Sequence, residues 1–425
     1  MKTNPNKNIL LFVGSVPSSV LHIIRKYEKD KKTKFRIAML IDKRHKTKKE
    51  SPPAEIDFVL RCDTHSVMAL QKTLTPIQDQ ILIITCRGDK SIPMLARVIP
   101  HVPYLKTSSS KSLLWATDKI WMRRRLFLHN KRITPSYTLV SNTTNVSLKK
   151  IEKKVGFPLI VKPSGLSASR LVSIVYHKQE LKTVLKKIFR SINVVYKKNG
   201  YTGDKKILVE QFMEGDMYSI DGYVNGRGKV YFCPLVAVQT GRSIGFDDFF
   251  GYKQSTPTLL KEKSIFEAEK TATEAVHALA LRSTTVHIEM MRTENGWKII
   301  ELGPRMGGFR HQLYEMSFGI NHTMNDILIR IPKKPQVPKK LLGYSMAMKF
   351  FAKKEGKIKS LIGLKRAKEL KSFKKISIHK KIGDMCRFAK NGGNSVFDII
   401  LFNRDRSKLL ADVRRLEHMV KIETV

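Results

Sequence analysis

Cysteine is scarce in this sequence, and the cysteines that are present lie far apart. Only 4 of the 425 residues are cysteine. None of them forms a Cys-x-x-Cys pair; they are Cys62, Cys86, Cys233 and Cys386. Disulfide frameworks and structural zinc sites usually show closely spaced cysteine pairs. The sequence therefore predicts neither class, and it is typical of a protein of the reducing cytoplasm.

Long hydrophobic runs are also missing. The longest, such as Ile9–Val13 and Ile81–Thr85, have the length of a strand, whereas a membrane-spanning helix needs about 20 apolar residues. The first run follows a lysine-containing N-terminus, but the segment after it has no clear cleavage signature. We therefore predict a first buried strand rather than a signal peptide, and no membrane partner.

Acidic residues are few relative to basic ones. There are 36 of them against 80 basic residues, which gives a formal net charge of +44. Such an excess favours contact with nucleic acid, anionic lipid or small anions. The charge is spread along the chain, however, and no recognised nucleic-acid-binding motif is present. We favour a lysine-rich solvated surface, and a nucleic-acid-binding surface stays open as the alternative.

The N-terminal part shows a regular alternation of strand and helix patterns. Strand-like runs at Ile9–Val13, Phe35–Ile41 and Ile81–Thr85 alternate with helical patterns at Val20–Glu28 and Val67–Leu74. Such alternation predicts a parallel, doubly wound sheet of the Rossmann type. The single glycine after the first strand is not a dinucleotide-binding fingerprint. The length and the hydrophobic content of 42% predict two or three domains with real cores.

Residues 286–308 combine two strands with a tight turn. The dipeptide Asn-Gly at the centre of this segment is a strong hairpin signal. A three-residue loop, Glu294–Gly296 with the glycine in the left-handed conformation, would pair Thr293 with Trp297. Counting outward from that pair, we expect Glu289 and Glu301 to face each other on the same side of the sheet.

Two carboxylates in facing positions need an explanation. Like charges directly opposite each other destabilise a hairpin unless a cation lies between them. A hard divalent cation such as Mg²⁺ fits two carboxylates, and it commonly brings nucleotide phosphates with it. Solvated glutamates without a function also occur on hairpins, so that interpretation stays open beside the metal hypothesis.

Three further segments suggest contacts to a nucleotide. Lys162 ends an apolar strand and precedes a small-residue loop, Ser164–Arg170, which can bring backbone amides close to phosphate oxygens but lacks the ending of a Walker loop. Glu210–Met213 follows another strand and fits the edge of an adenine. Arg305, among glycines, suits a forked contact to a phosphoryl group or carboxylate. The alternatives are an ordinary turn, core packing and a surface arginine.

Taken in order, these elements resemble the ATP-grasp superfamily over nearly the whole chain. The resemblance implies a multidomain α/β and α+β fold. It comprises a Rossmann-like pre-ATP-grasp domain at 1–113, a two-part ATP-grasp domain at 114–330 with a lid subdomain at about 134–213, and a small α+β domain at 331–425. The C-terminal part is similar to the extra domain of L-amino-acid-ligase-like members.

The resemblance also implies roles for individual residues. Lys119 and Lys162 would contact the phosphates of ATP, and Glu289 and Glu301 would ligate Mg²⁺ or Mn²⁺. Arg305 would act with Lys162 on the transferred phosphoryl group. The other implied nucleotide contacts are Ser164, Gly165, Ser167, Glu210, Gln211, Phe212, Met213 and Asp216. The implied substrate contacts are Arg305, Gly308, Arg310 and His311.

Two positions depart from the family pattern. Members usually have Asn two residues after the second metal-binding glutamate, where this chain has Gly303, which puts the second metal ion in doubt. The acidic residue that contacts ribose would align with Met217, and Asp216 is the candidate to replace it.

The implied activity is an ATP-dependent, ADP-forming carboxylate–amine ligase. It would work through an acyl phosphate, on an amino acid or similar small carboxylate and on an amine. Two alternatives stay open: an ATP-grasp kinase or synthetase that makes no amide, and a basic nucleic-acid-binding protein on a degenerate ATP-grasp scaffold. A homodimer is also left open.

Overall fold

The computed structural model describes residues 7–44, 52–164, 170–198 and 206–425. Its N-terminal part is a parallel sheet with the strand order β3-β2-β1-β4. The strands are β1 (Ile9–Val13), β2 (Arg36–Asp42), β3 (Phe58–Cys62) and β4 (Ile81–Thr85). Every residue of β1 is buried, as expected for a parallel strand that is covered on both faces. The predicted Rossmann-like sheet is therefore confirmed.

Helices cover the sheets and connect their strands. In chain order they are α1 (Ser18–Lys31), α2 (Val67–Leu74), α3 (Ile92–Val98), α4 (Ser110–Thr117), α5 (Lys119–His129), α6 (Asn145–Lys154), α7 (Lys178–Lys198), α8 (Glu262–Ala278), α9 (Arg310–Phe318), α10 (His322–Leu328), α11 (Leu364–Lys368) and α12 (Arg406–Met419). Among the residues that the structure describes, no helix is both long and apolar enough to cross a membrane.

A second sheet follows, with antiparallel strands in the order β5-β8-β6-β7. The strands are β5 (Tyr137–Val140), β6 (Leu159–Pro163), β7 (Ser173–Val175) and β8 (Ile207–Gln211). The apolar sides of α6 and α7 pack on this sheet and close a separate hydrophobic core. In this sheet Lys162 pairs with Leu208 and Glu210 pairs with Ile160, so Lys162 and Glu210 lie on the same face of two neighbouring strands.

The rest of the chain forms one large antiparallel sheet and a small three-stranded one. Their strands are β9 (Asp216–Val224), β10 (Val230–Phe232), β11 (Val236–Thr240), β12 (Gly251–Thr256), β13 (Thr284–Thr293), β14 (Gly296–Gly303), β15 (Tyr344–Phe350), β16 (Gly356–Ile362), β17 (Phe373–Ile378), β18 (Met385–Cys386), β19 (Phe397–Asn403) and β20 (Lys421–Thr424). The large sheet has the order β14-β13-β9-β11-β12-β15-β19-β17, with β10 beside β9. It continues across residue 330, so the predicted domain boundary there stays a prediction.

The hairpin β13–β14 packs on the same hydrophobic core as the N-terminal sheet. Ile288 and Met290 of β13 are fully buried in it, together with Ile299 and Leu302 of β14. Side chains alternate between the two faces of a strand. Glu289, between two buried neighbours, is therefore directed to the opposite face, away from that core.

Candidate active site

The two carboxylates of the hairpin face each other, but not by the route that the turn pattern predicts. Thr293 pairs with Gly296, so the turn has two residues and the predicted three-residue loop is wrong. An unbroken register would then place Glu289 opposite Ile300. A β-bulge in β14 adds one residue and brings Glu301 opposite Glu289 instead. Gly296 has a φ of +92°, the left-handed conformation predicted for it.

A buried arginine of α5 holds this bulge. Arg123 donates a hydrogen bond of 2.6 Å from Nη2 to the carbonyl oxygen of Ile300. It also donates to both carboxylate oxygens of Glu210, at 2.6 and 3.3 Å. Lys162 forms a second ion pair with the same carboxylate. One buried group of charges thus joins Lys162 and Glu210 of the second sheet to the hairpin β13–β14.

The charges of this group influence one another. Burial alone raises the pKa of Glu210, but Arg123 and Lys162 outweigh it and hold that pKa at about 2. Burial lowers the pKa of Lys162, although the attraction of Glu210 opposes it. Glu210 is therefore ionised at neutral pH. The Glu210 carboxylate pairs with both Arg123 and Lys162. The sequence predicted only a contact between this residue and adenine.

Glu289 lies next to a histidine on the same strand. His287 Nε2 is 3.6 Å from Glu289 Oε1, and the other ring nitrogen, Nδ1, is 2.6 Å from Asp221 Oδ1. Burial alone raises the pKa of Glu289, but His287, with Arg305 and Arg310, holds it at about 2. Burial alone lowers the pKa of His287, and Asp221 and Glu289 outweigh it and raise that pKa. The sequence analysis missed both His287 and Asp221. The only sequence signal for His287 was its place two residues before Glu289.

Glu301 is paired with the lysine that begins α5. Lys119 Nζ lies 2.8 Å from Glu301 Oε1. The preceding residue, Asp118, caps the helix by accepting hydrogen bonds from two backbone amides. This cap fixes the start of α5 and therefore the position of Lys119. Burial lowers the pKa of Lys119, but the contact with Glu301 outweighs it and raises that pKa. The structure therefore brings Lys119 together with the hairpin, as the predicted phosphate contact requires.

Arg305 is held side-on by a carboxylate from the N-terminal part of the chain. Its Nε and Nη2 donate to the two oxygens of Asp89, at 2.6 and 2.7 Å, and Nη1 donates to the carbonyl of Met306. A guanidinium has five N–H donors. These three bonds therefore leave one N–H on each terminal nitrogen, and both can donate to a carboxylate or phosphoryl group. Asp89 was not predicted.

The predicted adenine-binding segment lies at the end of β8. The backbone amides of Gln211 and Phe212 donate to the carbonyls of Ser136 and Pro158. Phe212 and Met213 are half-buried, and Asp216 at the start of β9 is exposed. Their contacts to a nucleotide stay predictions.

The small-residue loop after β6 is described only at its ends. Ser164 is buried, and its amide donates to the carbonyl of Lys206 at 3.2 Å. Gly165 and Ser167, which were predicted to contact phosphate, lie outside the described residues.

The predicted substrate residues after Arg305 have very different surroundings. A Cβ on Gly308 would meet open space. Arg310 is only 2% exposed, and it donates to Gln254 at 2.8 Å and to Ser219 at 2.6 Å, so the structure places it beneath the surface. His311 is half-buried, and burial lowers its pKa to about 4. It is therefore neutral at neutral pH.

The donor set of the hairpin can be compared with what a metal ion needs. In the described part of the chain, no group of three or more His, Cys, Asp or Glu side chains is arranged to hold a metal ion. Mg²⁺ in nucleotide sites is held by one or two carboxylates together with phosphate oxygens and water. Glu289 and Glu301 supply two carboxylates, so the residues fit a nucleotide-bound Mg²⁺ rather than an all-protein site. A Cβ at Gly303 would lie 3.7 Å from Asp89 Oδ1, and Gly303 itself has no side chain to offer.

Comparison with known proteins places this geometry in a family context. Residues 155–312 match the ATP-grasp domain family. An uncharacterized protein of Sinorhizobium fredii is 23% identical over 248 residues, which are 57% of this chain and 48% of that protein. The D-alanine–D-alanine ligase of Flavobacterium johnsoniae is 26% identical over 145 residues, which are 32% of this chain and 39% of that enzyme. The chain thus spans less than half the length of these curated relatives.

Solved structures with the same fold cover almost the whole chain. The L-amino acid ligase from Bacillus licheniformis superposes with a TM-score of 0.76 at 17% identity, over 99% of each chain. An ADP complex of N5-carboxyaminoimidazole ribonucleotide synthetase superposes with a TM-score of 0.70 at 14% identity, over 97% of each chain. At these identities the likeness establishes the fold, and it confirms the predicted multidomain architecture.

Proposed function

We propose that this chain, whose residues 155–312 match the ATP-grasp domain family, is an ADP-forming carboxylate–amine ligase. The observation that carries the proposal is the convergence at the hairpin. Lys119 pairs with Glu301, Lys162 is joined to the bulge through Glu210 and Arg123, and Arg305 follows directly after β14. Two carboxylates and three cations thus meet where ATP and a divalent cation would bind.

The substrate class follows from the relatives. D-alanine–D-alanine ligase and L-amino acid ligase are named for amino acids. We therefore propose an amino acid or similar small carboxylate as the group that is activated, and an amine as the acceptor.

The proposed reaction has two steps. A carboxylate oxygen of the substrate attacks the γ-phosphorus of ATP, the bond to the β-phosphate oxygen breaks, and ADP leaves. The amine nitrogen then attacks the carbonyl carbon of the acyl phosphate, the carbon–oxygen bond to phosphate breaks, and the amine gives up a proton. ATP and the two substrates are thereby converted to ADP, phosphate and an amide.

The residues of this chain contribute position and charge. Glu289 and Glu301 would hold Mg²⁺ or Mn²⁺, which when bound neutralises negative charge on the phosphate oxygens. Lys119 and Lys162 add fixed positive charge beside them. Arg305 keeps one N–H on each terminal nitrogen for the carboxylate or the transferred phosphoryl group, where a preorganised donor favours the transition state. Gly308, with open space around it, leaves room for the substrate.

Measurement of ADP release tests the proposal. Purified protein is incubated with ATP, Mg²⁺ and a panel of amino acids and small carboxylates, each with and without an amine. We expect ADP only when a carboxylate and an amine are both present, and a product mass that equals their sum less water. Glu301→Ala should abolish the release. Sustained turnover of that variant would remove Glu301 from the metal site.

The same experiment separates the two other candidates. An ATP-grasp kinase or synthetase would release ADP with a phosphorylated product and no amide, which the product mass shows. The other candidate is a nucleic-acid-binding protein, and the observation behind it is the net charge of +44. That protein would bind RNA or DNA with an affinity that falls steeply as salt rises, and it would release no acceptor-dependent ADP.

A further inference from the structure

A fully buried carboxylate lies behind the candidate metal site. Asp221, on β9, is 0% exposed. Its Oδ1 accepts from His287 Nδ1 at 2.6 Å, and its Oδ2 accepts from His322 Nε2 at 2.8 Å and from the backbone amide of Gly307 at 2.8 Å. Arg310 Nε lies 3.9 Å away. The three donors come from β13, α10 and the loop after β14, and Arg310 begins α9.

Fold stability alone does not call for such a group. Taking a carboxylate out of water costs free energy, and well-packed apolar residues in place of a buried ionic group are often as stable. A buried polar network does, however, impose one arrangement on the elements that it joins. Here those elements are the strand of Glu289 and the loop that follows Arg305.

His287 lies between Asp221 and Glu289, the candidate metal ligand. One of its ring nitrogens contacts Asp221, and the other faces Glu289 Oε1 at 3.6 Å. The backbone of Gly307 approaches the ring closely, since a Cβ added to that glycine would lie only 2.4 Å from Nδ1. The loop backbone therefore packs directly on the imidazole. Asp221 and His287 thus connect Gly307 with Glu289 through three successive contacts.

Beyond this unit the network continues into the core. His322, which shares Asp221 with His287, also bonds through Nδ1 to the hydroxyl of the buried Tyr223. That hydroxyl accepts in turn from Cys233. Asp221 is thus held by His322, and His322 is held by Tyr223, so the group that accepts from His287 is itself fixed by hydrogen bonds.

We propose that Asp221 and His287 are positioning residues that hold the Glu289 carboxylate and the Gly307 loop in register for a metal-bound nucleotide. The proposal rests on the proposed function, because it assumes that Glu289 meets a divalent cation. Residues that orient a metal ligand typically change metal affinity by about 10- to 100-fold when they are replaced. The expected effect therefore falls on metal binding, and metal-free nucleotide binding should change little.

Two substitutions of His287 test its two contacts separately, because each keeps one contact and removes the other. His287→Asn places an amide nitrogen near the position of Nδ1, so it keeps the bond to Asp221 and loses the contact with Glu289. His287→Gln extends an amide nitrogen toward the position of Nε2 and loses the bond to Asp221. His379→Asn is the matched control, because His379 also pairs with an aspartate, Asp398, at 2.8 Å. His379 follows β17 and Asp398 lies on β19, at the end of the large sheet opposite to the hairpin.

The readout is binding without turnover. Mn²⁺ affinity is measured by electron paramagnetic resonance at saturating ADP, ADP affinity is measured by calorimetry without metal, and Tm is recorded for each variant. We expect His287→Asn to bind Mn²⁺ about tenfold more weakly or worse, with metal-free ADP affinity unchanged. His287→Gln should recover part of the loss, and His379→Asn should match the wild type.

Three other results contradict the proposal in different ways. Wild-type Mn²⁺ affinity in a folded His287→Asn overturns the positioning role and leaves the proposed function intact. Equal losses of metal-free ADP affinity and Mn²⁺ affinity, together with a lower Tm, show a merely structural network. A wild-type protein that binds neither ADP nor Mn²⁺ overturns the proposed function itself. If His287→Asn fails to fold, the proposal requires His287→Gln to bind Mn²⁺ more tightly than His287→Ala does.

Discussion

The guanidinium of Arg123 donates a 2.6 Å hydrogen bond to the carbonyl oxygen of Ile300 at the bulge of β14. This bond joins two positions that are 177 residues apart in the sequence. It supports the extra residue that brings Glu301 opposite Glu289. The helix α5 therefore determines the geometry of the candidate metal site without itself carrying a metal ligand.

Removal of the Arg123 side chain should destabilise the protein and disturb the site. Arg123→Met leaves Glu210 with one cationic partner, and breaking a buried ion pair costs about 3–5 kcal/mol. Arg123→Lys keeps a positive charge but cannot reach both Glu210 and Ile300 in the same way, so we expect a smaller loss of stability and still a weaker Mn²⁺·ADP complex. Urea unfolding and calorimetry measure the two effects. Unchanged nucleotide binding in both variants would show that the bond between Arg123 and the bulge does not contribute to the candidate site.

Glu210 should give stability a dependence on acid pH. Its pKa in the folded protein is about 2, below the ordinary value of 4.5. The stabilisation is therefore complete above about pH 4.5 and is lost as the pH falls through about 2. A difference of this size corresponds to about 3 kcal/mol. The free energy of unfolding of wild type minus that of Glu210→Gln should shrink between pH 6 and pH 3. A constant difference would contradict the prediction.

His311 should act in the opposite sense and at higher pH. Burial lowers its pKa from 6.5 to about 4, so the unfolded chain binds its proton first. Stability should fall by up to about 3 kcal/mol as the pH drops from 6.5 to 4. His311→Gln should remove this part of the loss, and His129→Gln, at the exposed end of α5, is the control. Equal pH profiles for wild type and His311→Gln would show that the buried imidazole does not contribute.

The adjacent glycines Gly307 and Gly308 should respond differently to alanine. A Cβ on Gly307 would lie 2.4 Å from His287 Nδ1 and 2.7 Å from Arg310 Cγ, whereas a Cβ on Gly308 meets nothing within 4 Å. Forcing a methyl group into a packed site typically costs about 1–3 kcal/mol, so Gly307→Ala should lose that much unfolding free energy. Gly308→Ala should stay within about 0.5 kcal/mol of wild type. Similar losses in both variants would argue against the close packing on His287.

Arg305 should not be replaceable by lysine. Arg305→Lys keeps the positive charge but loses the side-on pair with Asp89 and the two further N–H groups of the guanidinium. Removal of one preorganised donor to a transition state costs about 100- to 1000-fold in kcat, and we expect a loss in that range for ADP release. Metal-free ADP affinity should remain within a few-fold, because the role lies in the reaction rather than in nucleotide binding. A loss that appears only in KM would indicate simple substrate binding.

Local pattern determined a large part of this molecule. The strands β1 and β4 and the helix α2 begin and end where the sequence pattern predicts, because buried runs and amphipathic spacing depend on neighbouring residues. The alternation of strands and helices was sufficient for the parallel sheet. The side of the hairpin on which Glu289 lies was also readable, because its two neighbours on the strand are apolar.

The tertiary structure decided what the local pattern could not. The turn was predicted one residue too long, and the bulge added one residue to β14, so the facing of Glu289 and Glu301 was right for the wrong reason. Bulges follow from contacts such as that of Arg123, which no local pattern contains. The same holds for Asp89 beside Arg305, 216 residues away, and for Asp221 beside His287, 66 residues away. Sequence spacing determines which side of a strand a residue occupies, whereas only the packing of distant elements determines which partner it meets there.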